Sequence, residues 1–254
     1  MTKHLSFDHV TKSYGDTHVI ADTSIDIAEG EFVCLLGPSG SGKSTLLNMI
    51  AGLDFPTTGE VQALGNTITG PDPERGLVFQ DHALLPWKTA RGNIEFGLRA
   101  ARRLSAADRR TRALEYLRKV GLEHAADRRP SQLSGGMQQR VGLARAFAVD
   151  SRILLLDEPF GALDALTRRQ LQALLLEVWS HTDSPRTVLM VTHDVDEAVL
   201  LADRILVMSH GPQAHLVEDL RVDIPRPRFS LSPENESHAD QLRHHLLQLL
   251  EQEH

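Results

Sequence analysis

Phe32-Val33-Cys34-Leu35-Leu36 runs directly into Gly37-Pro38-Ser39-Gly40-Ser41-Gly42-Lys43-Ser44-Thr45, and Ser44 to Ala51 then reads as a helix. Five apolar residues without alternation indicate a strand buried on both faces. The nine residues that follow match G-x-x-x-x-G-K-[ST], and they sit where that pattern must sit, after a buried strand and before a helix. The glycines let the loop curl so that successive backbone N–H groups point at phosphate oxygens, while the helix N-terminus adds partial positive charge. Lys43 is then the mobile cation for the β- and γ-phosphates of a nucleotide. Ser44 offers its hydroxyl to Mg²⁺, with Thr45 beside it. A Gly-Ser turn that merely joins strand to helix is the alternative, and motif and flanks together disfavour it.

The same alternation of buried strand and helix recurs at Ile153 to Leu156 with Ala165 to Trp179, and at Val188 to Val191 with Val195 to Leu201. Strands apolar on both faces and separated by helices predict a parallel sheet covered on both sides. Ahead of it, Leu5, Phe7 and Val10, a turn at Tyr14-Gly15-Asp16, and Val19 to Ile27 predict two short antiparallel strands. Residues 99–129 differ: ten Arg or Lys face four Asp or Glu, without a strand pattern. We read there a helical subdomain, about 88–150, inserted in the α/β core. A single aromatic, Tyr116, lies among the arginines of 99–129, so a solvated helix face is favoured over a nucleic-acid patch. Residues 218–254 form an extension, broken by Pro225-Arg226-Pro227 and Ser232-Pro233. It ends in a helix with Leu242, Leu246, Leu249 and Leu250 on one face, read as docked on the protein's own surface rather than on a partner.

Composition bounds the rest. The 254 residues are 41% hydrophobic and 24% charged, as in a folded globular protein, and 27 basic against 34 acidic residues leave a net charge of −7. That sign excludes a polyanion-coating protein. The one cysteine, Cys34, can form no internal bridge and reads as a small hydrophobe in its strand. No apolar run approaches the roughly 20 residues a spanning helix needs, and the N-terminus lacks the apolar core of a secretory signal. A reducing, cytoplasmic setting is expected.

In an open parallel sheet, ligands bind at the carboxyl ends of the strands. Asp157 and Glu158 end one strand: the first is placed to hold Mg²⁺ through its water shell, the second to polarise an attacking water. Thr192-His193-Asp194 ends another, where the His193 imidazole could hydrogen-bond the γ-phosphate or the water. Leu133-Ser134-Gly135-Gly136-Met137-Gln138-Gln139-Arg140 opens a further helix, giving a second N-terminus able to receive an anion. Alone, that serine and glycine pair could be no more than a helix cap.

Taken in order, Gly37 to Thr45, Gln80, Leu133 to Arg140, Ile153 to Glu158, Gly161-Ala162-Leu163-Asp164 and His193 resemble the ATP-binding-cassette ATPases from about residue 3 to residue 217. The resemblance implies a P-loop α/β fold, an ATPase activity with ATP and Mg²⁺, and specific roles. Tyr14 stacks on adenine, Gln80 contacts Mg²⁺ and senses a membrane partner, Glu158 is the catalytic base, Asp164 communicates across a dimer, and His193 is the switch. Two copies are expected head to tail, each ATP held between Lys43 of one and Ser134, Gly135 and Gly136 of the other. Met137, where many relatives carry Gln or Glu, is the one departure.

Within that family, Gly70 to Gln80, Leu84-Leu85-Pro86-Trp87 and Ile224-Pro225-Arg226-Pro227-Arg228 are similar to importer ATPases for taurine, aliphatic sulfonates and nitrate. The expectation is an energising subunit at the cytoplasmic face of the inner membrane, working with two integral membrane permease subunits and, indirectly, an external solute-binding protein. Taurine is placed first among cargoes, with nitrate and other small organic anions behind. Trp87 reads either as a docking-surface aromatic or as a core residue of the helical subdomain. Chromosome-type relatives place long coiled coils between the motifs and ribosome-acting ones carry two cassettes. The short spacing and single motif set here fit neither. A P-loop metabolite kinase would leave Leu133 to Arg140, Asp164 and His193 unexplained.

Overall fold

The computed structural model describes residues 3–81, 83–100, 104–180 and 186–252. The chain divides into two units, Met1–Pro71 together with Thr187–His254, and Asp72–Arg186. The first unit begins with β1 (Lys3–Tyr14) and β2 (Thr17–Ala28), paired antiparallel with Tyr14 opposite Thr17. Both strands are 12 residues long, not the short pair read from the sequence. Register shifts at several points let the ladder run on through residues that break simple alternation. Next come β3 (Phe32–Leu36), buried at every position, and α1 (Lys43–Ala51). The short strands β4 (Thr58–Ala63) and β5 (Asn66–Thr67) complete a four-stranded sheet in the order β2-β1-β4-β5.

In the second unit β6 (Arg75–Val78) lies parallel to β7 (Ile153–Asp157). Between them run α2 (Ala90–Ala100), α3 (Ala106–Lys119) and α4 (Gly135–Val149), which pack on one another, and α5 (Ala165–Ser180) follows β7. Ile94, Leu98, Ala113, Leu117, Leu143 and Phe147 are buried among these helices, each worth about 1.5–3 kcal/mol for the larger side chains. Ser105 caps α3 by accepting from the Asp108 N–H. In the basic stretch Arg118 pairs with Glu123 at 2.8 Å and Lys119 with Glu177 at 3.4 Å, while Asp127 of the stretch pairs with Arg91 ahead of it at 2.9 Å. That supports the solvated-face reading. Residues 101–103 of the stretch lie outside the described residues.

The chain re-enters the first unit with β8 (Thr187–Thr192), α6 (Val195–Leu201), β9 (Arg204–Met208), β10 (Leu216–Arg221) and α7 (Pro233–Gln252). Strand β3 is flanked by β8 and β9, both parallel to it, and β10 closes the edge antiparallel to β9. The position where the sequence pattern changes, 217 to 218, falls inside β10. Helix α7 buries Ala239 and Leu246 and packs against α6, so it is docked on its own chain. No helix among the described residues is long and apolar enough to cross a membrane.

Candidate functional site

The first unit gathers the phosphate loop, Tyr14 and His193. Gly42 caps α1 in the left-handed region at φ 75°, a backbone state that costs a side-chain-bearing residue about 1 kcal/mol or more. The turn it makes folds Lys43 back: the residue is buried, and its ammonium donates to the Gly37 carbonyl at 2.8 Å, the Pro38 carbonyl at 2.7 Å and the Ser41 hydroxyl at 3.0 Å. All three acceptors are neutral. The ammonium already makes these bonds charge-assisted, and an anionic oxygen in place of a neutral one adds ion-pair attraction.

Register places His193. In the β3–β8 pairing Leu36 lies opposite Thr192, so Gly37 and His193 leave adjacent strands side by side at the carboxyl end. The turn is organised locally. Asp194 N–H donates to the Thr192 hydroxyl at 3.0 Å, that hydroxyl donates to Glu197 at 2.8 Å, and Asp194 caps α6 by accepting from the Glu197 N–H at 3.2 Å.

Tyr14 is half-exposed at 51% and its hydroxyl donates to Asp54. The Lys12 ammonium lies 4.6 Å from the centre of its ring and also pairs with Asp54. Burial, then the bond to Asp54, raises the Tyr14 pKa. The adenine-stacking candidate is thus tied to the segment just after α1, the helix that follows the phosphate loop, and keeps half its surface exposed.

The second unit gathers the acids and the glycine pair. Val78 lies opposite Leu156 in the β6–β7 pairing, which brings Gln80 level with Glu158, and the Gln80 side chain donates to the Glu158 carboxylate at 3.1 Å. Glu158 holds φ 45°, the left-handed region, without being glycine. Such a residue costs of order 1–3 kcal/mol and persists only where its surroundings fix it. Asp157, the last residue of β7, is half-buried beside it. Ser134 caps α4, its hydroxyl accepting from the Met137 N–H at 3.3 Å. An added Cβ on Gly136 would lie 3.2 Å from the Ala162 carbonyl, so this glycine permits a close backbone approach to the loop after β7. Asp164 caps α5 through the Thr167 N–H at 3.0 Å, and that backbone bond leads the causes that lower its pKa.

The ABC transporter family model matches residues 20–161. This chain is an ABC transporter ATP-binding cassette. It is 45% identical over 98% of its length to the nitrate import ATP-binding protein NrtD of Synechococcus elongatus, spanning 92% of that protein. It is 47% identical over 89% of its length to the bicarbonate transport ATP-binding protein CmpD of Synechocystis, spanning 82% of that one. Among solved structures, a dimeric bacterial ABC transporter cassette, MJ0796, is 38% identical, with a TM-score of 0.79 over 86% of this chain and 98% of that one. The same cassette in a dimeric post-hydrolysis state bound to ADP and Pi gives a TM-score of 0.78.

Against the sequence expectations, the cassette settles one open choice and adds two residues. Trp87 is 68% exposed, which removes the core reading and leaves the surface one. Asp54 had no signal in the sequence beyond its place just after the helix that follows the phosphate loop. Gln139 was quoted only as part of a motif, yet it is buried and bridges two elements: its amide donates to the Glu158 carbonyl and accepts from the Ala162 N–H, both at 3.1 Å. It lies one turn into α4, three residues beyond Gly136 and therefore on the same face. That spacing was the available clue.

Proposed function

We propose that this chain hydrolyses ATP as the energising subunit of a binding-protein-dependent importer of a small inorganic oxyanion, with nitrate as the first candidate. The observation that carries hydrolysis is Glu158, held by Gln80 at 3.1 Å and by Gln139 through its own carbonyl at the carboxyl end of a buried strand. A carboxylate so fixed can take the proton of an attacking water. Lys43 exchanges its loop carbonyls for β- and γ-phosphate oxygens, Gly37, Pro38, Ser39, Gly40, Ser41 and Gly42 supply backbone donors, Tyr14 stacks on adenine, and His193 hydrogen-bonds the γ-phosphate. Ser44, Gln80 and Asp157 offer a hydroxyl, an amide oxygen and a carboxylate, an all-oxygen donor set that suits the hard cation Mg²⁺. When bound, Mg²⁺ supplies neutralisation of the phosphate charge.

Two copies of the chain are proposed to pair, Ser134, Gly135 and Gly136 of one meeting the nucleotide of the other and Asp164 relaying its state. The dimeric solved cassettes support this. Two permease subunits and an external binding protein complete the importer at the cytoplasmic face of the membrane. Taurine, placed first on sequence resemblance, gives way to nitrate, placed second, because the relatives at 45% and 47% identity are named for nitrate and bicarbonate. The sequence motifs are shared by the whole importer group, and cargo is selected by other subunits, which is why they could not rank the two.

The test pairs hydrolysis with uptake. Glu158→Gln is expected to lower ATP turnover by about 10²–10⁴-fold while ATP still binds, and Lys43→Ala to lose binding. The complex reconstituted with its membrane subunits should take up nitrate in preference to bicarbonate and taurine in an ATP-dependent way. Full turnover in Glu158→Gln, or uptake of taurine alone, would overturn the corresponding part.

A further inference from the structure

Helix α6 begins two residues after His193, with Asp194 as its cap between them, and has seven residues, about 10 Å of rigid rod. The carbonyls of its last turn have no partner within the helix. The extension supplies one. Arg228 is buried, and its guanidinium donates to the carbonyls of Val199, at 3.0 Å, and Ala202 at the end of α6, and to those of Ile224 at 2.9 Å and Val222 at 3.1 Å. Arg226 donates to the Leu201 carbonyl at 2.6 Å and pairs with Asp203 at 2.8 Å. At the opposite end, Arg243 of α7 pairs with Asp196 in the first turn at 2.7 Å. Three arginines of one segment thus grip both ends of a single short helix. Burial, then repulsion from Arg226, lowers Arg228 to about 10, so it stays cationic at neutral pH.

We infer that the Ile224-Pro225-Arg226-Pro227-Arg228 segment is a positioning element for His193, with Arg228 fixing the far end of α6 and, through that rod and the Thr192, Asp194 and Glu197 network, the turn that carries the imidazole. The inference rests on the switch role proposed for His193. A planar fork of five N–H groups serves four carbonyls in one fixed geometry, which an ammonium with three donors cannot do. Replacing it loosens the helix end without removing the charge.

The experiment is a double-mutant cycle on the purified full-length chain, reading kcat and KM for ATP, nucleotide bound per chain, and Tm. Arg228→Lys is expected to lower kcat per bound nucleotide about tenfold at unchanged KM, as a small misplacement of a reacting-site group does. In a His193→Ala background the same change should add less than about twofold, because the two residues act as one unit. A full tenfold loss in both backgrounds, or a lower Tm with kcat per bound nucleotide unchanged, would overturn the inference while leaving the His193 role intact. Full turnover in His193→Ala alone would overturn that role and the inference with it. Should Arg228→Lys fail to fold, Arg226→Lys, which disturbs the adjoining carbonyl, carries the same cycle.

Discussion

Replacing Gln139 with Leu isolates what holds Glu158, the proposed catalytic base, in place. The side chain is nearly isosteric, so no cavity opens, and the change removes two hydrogen bonds of 3.1 Å. Each is worth about 1 kcal/mol net, and a buried group left unpaired costs about 1–3 kcal/mol. Ala162 is exposed, so its N–H recovers a bond to water. The Glu158 carbonyl keeps a longer bond from the Gly161 N–H at 3.4 Å. The expected destabilisation is therefore about 2 kcal/mol, the low end of the range for two lost bonds. For a chain of this length that lowers Tm by roughly 4–8 °C, at about 2–4 °C per kcal/mol. The larger consequence is local. Glu158 sits at φ 45°, and a strain of order 1–3 kcal/mol is released once an anchor is lost. Relaxation of the backbone swings the carboxylate away, and hydrolysis should fall about 10–30-fold at unchanged ATP affinity, the kinetic equivalent of about 1.4–2 kcal/mol. Differential scanning fluorimetry and steady-state phosphate release, both normalised to bound nucleotide, read the two effects. A Tm drop of the expected size with kcat unaltered would refute the reasoning, since the amide would then be a structural tie and nothing more.

Two further predictions concern other surfaces. Burial raises the pKa of Asp54, but bonds from Lys12 and Tyr14 outweigh it and the net shift is downward; its stabilising contribution is thus present above the ordinary carboxylate range and lost as pH falls through the depressed value. The Tm gap between the parent chain and Asp54→Asn should be constant from about pH 8 to 5 and close below about pH 4, and a gap that widens on acidification would contradict this. Trp87, at 68% exposure, should tolerate Ala with a stability change within about 0.5 kcal/mol. Affinity for the membrane subunits, measured by detergent co-purification or light scattering, should nevertheless drop about tenfold or more.

The parts of the fold legible in the sequence were those where one physical demand dominates. Buried parallel strands must be apolar on both faces, and Phe32–Leu36, Ile153–Asp157 and Thr187–Thr192 are buried almost throughout. Strands β4, β5 and β10 escaped because they bury few side chains: Thr58–Ala63 buries only Val61 and Ala63, and Leu216–Arg221 has no buried residue. Their pairing comes from neighbours far away in sequence, such as Phe7 opposite Val61, and no local pattern encodes that. β9 is apolar, but only Ala202 and Asp203 separate it from α6, so its apolar run merges with that of the helix.

The site divides along the same line. Residues that are to touch phosphate, metal or water must have particular chemistry, and chemistry is visible in a sequence: Lys43, Asp157, Glu158 and His193, proposed for those tasks, could be named before any coordinates. Residues that position them need only a donor or acceptor at the right distance, a task that Gln, Asp or Arg performs anywhere in a protein. Gln139 works through the backbone of Glu158 and not its side chain. Asp54 works through a tyrosine hydroxyl, and Arg228 through the carbonyls of a helix end. Backbone acceptors carry no side-chain identity, so their partners leave no paired signature in one sequence. The positioning residues of this cassette are, for that reason, the ones its structure adds, and substitutions at them should move turnover more than nucleotide affinity.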